Sequence, residues 1–132
     1  MATKPLQPYL PSMNTTLWIA QALLALALFG AGTMKLTTPH ATLAAQLPWA
    51  GGFSGQQVKL IGLAELLGAV GLVVPWATGI APTLTPLAAA GVLALMLGAV
   101  RVHVARRESF VPPAIMGTLA LLVALGRSGA LG

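Results

Sequence analysis

The stretch LLGAVGLVVPWATGIAPTLTPLAAAGVLALMLGAV, residues 66–100, holds no charged side chain and three prolines, Pro75, Pro82 and Pro86. As one continuous helix at about 1.5 Å per residue it would run to about 52 Å, far beyond a hydrocarbon core of about 30 Å. The chain must turn inside it, and the prolines sit where a hairpin is needed. Two membrane crossings follow. One covers about residues 58–75, entered past Lys59 and carrying Glu65 well inside; the other covers about 84–104 and ends at Arg101 and His103.

Composition extends this reading to the whole chain. With 57% hydrophobic and 7% charged residues, there is too little polar surface to coat a soluble globule, so the lipid bilayer is the expected partner. At about 20 apolar residues per crossing, 132 residues allow four helices and no separate catalytic domain. Met1–Asn14 carries Lys4, Pro5, Pro8 and Pro11, which resist helix; Asn14, Thr15 and Thr16 then offer N-caps for a first crossing over about 17–35. Leu17–Phe29 followed by Gly30-Ala31-Gly32 also has the layout of a signal peptide, but with Met1 retained it is expected to stay as a crossing.

Thr38-Pro39 reads as a cap followed by Pro at the first helical position, giving a short interfacial helix over about 39–47 with Leu43 and Leu47 towards lipid. Pro48 and Gly51-Gly52 end it. Arg106-Arg107-Glu108 forms a tight charged loop, and Pro112-Pro113 starts a last crossing over about 111–126. The expected fold is all-α: a single transmembrane domain over residues 1–132, an integral membrane four-helix bundle with a short interfacial helix between the first two crossings.

The net charge of +5 marks helix ends rather than a nucleic-acid surface. Lys4 and Arg127 fall on one side of the membrane; Lys35, Lys59, Arg106 and Arg107 fall on the other, with Arg101 nearby. Positive residues concentrate inside, which puts both termini outside and the two charged loops in the cytoplasm. No cysteine is present, so the chain itself has no thiol chemistry, iron–sulfur cluster or thiolate metal site. His40, His103 and Glu65 have no spacing that fixes three metal ligands or a haem, and His40 is expected to face solvent.

Glu65 lies about 10 Å below the membrane entry, where an uncompensated carboxylate costs several kcal/mol. Its helical face carries Ile61, Gly62, Gly68, Ala69 and Leu72, small enough for a neighbouring helix to approach, so Glu65 is expected to face the bundle. Arg101 shares a stripe with Gly91, Ala94 and Gly98, which favours an Arg101–Glu65 ion pair. His103 lies about 200° round from Arg101, so the two cannot share a partner. Lys35 falls on the stripe Gln21, Leu24, Leu28, Gly32; it reaches the same end of the bundle, with Gln21 near the opposite end. Lys35, Glu65, Arg101 and His103 then converge, either as structural glue or as the polar rim of a ligand cleft. Trp18, Trp49, Trp76 and Tyr9 sit at membrane boundaries, and Trp49 beside Gly51-Gly52 is placed to cover a cleft opening.

FGAGTMKL (29–36), GLAELLGAVGLVVPW (62–76) and MLGAVRVHVARRE (96–108), in this order and spacing over about residues 14–126, make the chain resemble the DoxX-like branch of the DoxX family of small four-helix membrane proteins. The resemblance implies a bundle whose polar signature falls on Lys35, Glu65 and His103. It also implies a family in which some members accompany quinone-linked or redox systems and others act as assembly partners. The absence of cysteine weighs against a thiol-based role. Three functions follow. The first is binding of an apolar quinone-like or lipid-like molecule in the bundle, held by Lys35, Glu65, Arg101, His103, Gln21 and Trp49, or partnership with a membrane redox protein. The second is an assembly partner without ligand, homo-oligomers included. The third is an isomerase- or cyclase-type enzyme with Glu65 as the catalytic general acid or base.

Overall fold

The computed structural model describes residues 11–130, so Lys4, Pro5, Pro8 and Tyr9 lie outside the described residues. Among the described residues, five α-helices and one 3-10 turn follow in order: α1 Met13–Thr37, α2 His40–Gln46, the turn Pro48–Gly52, α3 Gly55–Thr78, α4 Leu84–Ala105 and α5 Val111–Ser128. α1, α3, α4 and α5 are long and apolar enough to cross a membrane. α1 packs on α3 and α5, α3 on α4, and α4 on α5, which closes a four-helix ring.

Helix ends reflect local chemistry. Ser12, rather than Asn14 to Thr16, caps α1 by accepting the Thr15 N–H at 3.1 Å. α3 starts three residues before the expected Val58 because Ser54 and Gln57 form a reciprocal capping box, their side chains accepting each other's backbone N–H groups. Nor does Pro75 end this helix. It lies inside α3, which runs on to a left-handed Gly79. A proline leaves the carbonyl four residues earlier without its donor, and the Thr85 hydroxyl of α4 donates to that carbonyl, Gly71 O, at 2.8 Å. In hydrocarbon such a carbonyl needs a protein partner, so the α3–α4 hairpin supplies what the proline removes.

Large aliphatic side chains point outward: Leu26 is 70% exposed, Leu67 64% and Leu97 62%. The interior holds Leu24, Leu28, Leu72, Ala89, Val92, Met96, Ala120 and Val123, but also Gln21 and Thr85, both fully buried. Polar groups inside and bare leucines outside suit a hydrocarbon solvent; the chain is a multi-pass membrane protein. Leu43, expected to face lipid, is instead fully buried with Ala50 and Val58 in a small cluster beneath the α1–α3 connection.

Close packing comes from α1, α3 and α5 rather than from the glycines of α4. A Cβ on Gly32 would stand 2.7 Å from Gly62 O, and one on Gly62 would stand 2.8 Å from Lys35 Cβ. Gly91 and Gly98 have nothing within 4 Å of that position. Gly62→Val should therefore lower stability by about 1–3 kcal/mol through overpacking, whereas Gly91→Val should stay within about 0.5 kcal/mol of wild type. Thermal unfolding in detergent micelles measures both.

Candidate functional site

At the end of the bundle bearing the α1–α2 and α4–α5 loops, the ring opens into a cleft of about 460 Å³. All four crossings contribute: Ala31 and Lys35 from α1, Ile61 and Glu65 from α3, Ala94, Gly98, Ala99, Val102 and His103 among others from α4, and Pro112, Pro113 and Met116 from α5. Trp49 and Phe53 form a cover, edge to face with centroids 5.9 Å apart. The walls are mainly apolar, and the polar groups are few and specific.

Lys35 Nζ stands 2.7 Å from Glu65 Oε1, with both side chains nearly excluded from solvent. Helical phase puts Lys35 on the buried stripe Leu17, Gln21, Leu24, Leu28, Gly32 of α1, and Glu65 on the buried stripe Val58, Gly62, Ala69, Leu72 of α3. The contact at Gly32 and Gly62 then brings the two charges together. It is a close ionic approach rather than a well-angled hydrogen bond. Lys35 also lies 5.5 Å from the Trp49 ring centroid, a cation–π distance.

The expected Arg101–Glu65 pair does not form, because α4 is rotated the other way. Its buried stripe is Thr85, Ala89, Val92 and Met96, and continuing that stripe by helical steps reaches His103. Gly91 and Arg101 point outward, Arg101 is exposed, and Gly98 borders the cleft without a packed neighbour. His103 lines the cleft, with Nδ1 3.7 Å from Glu108 Oε2. Glu108 was not among the residues singled out from the sequence. The available signal was that it is one of only two acidic residues in the chain.

Gln21 is not brought to the cleft. It is fully buried at the opposite end, donating to Leu72 O at 2.6 Å and accepting from Arg127 Nε at 2.7 Å. Arg127 also donates to Asn14 Oδ1 at 2.9 Å and lies 4.6 Å from the Trp76 ring and 5.4 Å from Trp18. These two boundary tryptophans thus clasp a guanidinium that joins α1, α3 and α5. His40, expected to face solvent, is half-buried with Nε2 3.0 Å from Ala50 O, holding α2 against the 3-10 turn. Among the described residues, no group of three His, Asp or Glu side chains is arranged for a metal ion.

So arranged, the cleft can take an apolar body among helix side chains and offer an ammonium, a carboxylate and an imidazole to a polar head. Deleting one member of a buried ion pair leaves the other charge uncompensated. Lys35→Met alone should destabilise the protein by about 3–5 kcal/mol, and Lys35→Met with Glu65→Leu should recover most of the loss. A double-mutant cycle of thermal unfolding in micelles checks this.

A family model described as the DoxX-like family matches residues 19–126. No curated protein and no solved structure matches the chain. The chain belongs to the DoxX-like family.

Proposed function

We propose that this DoxX-like membrane protein binds an apolar, quinone-like or lipid-like molecule in the cleft between its crossings, with the molecule's polar head against Lys35, Glu65 and His103 and its body beneath Trp49 and Phe53. The observation that carries this reading is the cleft itself: about 460 Å³ of mainly apolar space with a buried ion pair in its wall. Small-molecule sites fall in the range of about 300–1,000 Å³ and pair apolar walls with a few placed polar groups. A glue role alone would be served by a packed interface and would leave no space beside the pair. In this reading the two charged loops face the cytoplasm and the cleft opens near that surface. The protein then delivers or holds its ligand for a membrane redox partner.

Glu65 is not favoured as a free general base, because Lys35 engages its carboxylate. A second reading, an assembly partner in a membrane complex, is supported by the outward-facing Gly91 of α4, which leaves room for a helix of a second copy or another protein. The two readings are compatible, since Gly91 lies outside the residues that line the cleft and is separable from its polar wall by mutation.

Purified protein in mild detergent should carry a co-extracted apolar molecule, seen by native mass spectrometry. Ala99→Phe, which places a ring in the cleft, should reduce its occupancy by about tenfold with unchanged melting. Wild-type protein that is bare under these conditions would overturn the binding reading. Replacement of Gly91 by leucine should leave occupancy intact and would disrupt only an assembly.

A further inference from the structure

The α4–α5 loop is folded so that one carboxylate stands behind the cleft's imidazole. Arg107 adopts the left-handed conformation at φ 57°, uncommon for a side chain larger than glycine. The Glu108 N–H donates to His103 O at 2.8 Å and the Arg107 N–H to Val104 O at 3.1 Å. This pair of bonds is the Schellman arrangement that closes a helix C-terminus, and it fixes Glu108 beside His103 through the backbone. Arg106 Nε donates to Glu108 Oε1 at 2.9 Å, which turns Oε2 towards the ring.

His103 Nδ1 is buried and has no hydrogen-bond partner. At 3.7 Å, Glu108 Oε2 is beyond hydrogen-bond range, yet it is the acceptor that a small ring movement would reach. With Nδ1 turned to the carboxylate, Nε2 is the ring nitrogen left for the cleft. The other charged groups at the cleft are Lys35 and Glu65, already engaged with each other, and the facing part of α5 contributes only Pro112, Pro113 and Met116.

We propose that His103 is the proton-exchanging group of the cleft and that Glu108 is its positioning residue, so that the site takes an apolar molecule bearing a weakly acidic aryl hydroxyl. This rests on the binding reading above and narrows its ligand class. Glu108 holds the imidazole as the Nδ1–H tautomer, leaving the Nε2 lone pair for the ligand. The ligand O–H bond breaks as an Nε2–H bond forms; the ligand becomes an oxyanion and the imidazolium is balanced by Glu108. One proton moves, no electron is transferred and no co-reactant is needed. A phosphodiester lipid head, already ionised, has no proton to give to this wall.

Two measurements test the pair. In ligand-free protein, nitrogen NMR of ¹⁵N-histidine-labelled material should show His103 mainly as the Nδ1–H tautomer. Glu108→Ala should shift the population to Nε2–H, and Glu108→Asp should restore much of it. The second uses an alkylated 2-naphthol, whose anion absorbs at longer wavelength than the neutral form. Bound at pH 8, the wild type should hold about tenfold more anion than Glu108→Ala or His103→Phe. A probe that binds equally but stays neutral in all three overturns the inference alone, as does a tautomer insensitive to Glu108→Ala. A wild-type cleft that does not take the probe overturns the binding reading beneath it and the ligand class with it, even if the tautomer result stands.

Discussion

Lys35 meets Glu65 only because α1 and α3 come close enough for their backbones to touch, and two missing side chains allow it. Gly32 lies against Gly62 O, while Gly62 lies against the Lys35 side chain. In lipid there is no hydrophobic drive to bring helices together, so close van der Waals contact and polar bonds must do it. The two effects reinforce each other here. The glycine contact sets the distance, and the ion pair removes the cost of leaving either charge alone in a low dielectric. The α1–α3 seam is thereby tight on the side of the charges, and α4 and α5 complete the ring against it.

The two ends of the ring are closed in different ways. At the end bearing Ser12 and Ser128, Gly126 admits Leu17, Thr85 bonds Gly71 O, and Arg127 joins Gln21, Asn14 and two tryptophan faces. Every one of these contacts draws crossings together through small groups or short bonds. At the other end, prolines occupy the first turn of α5, and the α1–α2 connection folds over its own small core of Leu43, Ala50 and Val58. The cover is a turn and two aromatic rings instead of interlocked helices, so the interior stays open beneath it.

Crossings were legible because length, charge and proline are local signals: a charge-free stretch too long for one span must contain a turn. The capping box was missed although its signal is local, Ser54 and Gln57 being three residues apart, and it explains the earlier start of α3. Pro75 was misleading because its consequence is relieved by Thr85, fourteen residues from the freed Gly71 carbonyl, a tertiary partner that no local pattern announces. The rotation of α4 was misread for a different reason. In a soluble helix, polarity marks the outer face; here both faces are apolar, and Gly91 and Gly98, read as contact residues, meet no neighbouring helix. That single rotation exchanges Arg101 for His103 at the cleft and leaves Glu65 to Lys35. Lys35 was placed correctly because the stripe through Gln21 and Gly32 does not depend on which neighbour it faces.

The proposed binding function rests on where the carboxylates stand. The chain has two acidic residues, and both stand at the open end, Glu65 in the cleft wall and Glu108 just behind it. The guanidinium at the closed end is held without either, by neutral oxygens and π faces. Neutral partners therefore suffice to anchor a cation in this bundle, and structural glue does not require a carboxylate. Glu65 and Glu108 stand beside an apolar cleft, one against an ammonium and the other behind an imidazole. Fixed charges next to a cleft are preorganised to meet a polar group there, which is why the proposed binding function rests on this end of the bundle rather than on the closed one.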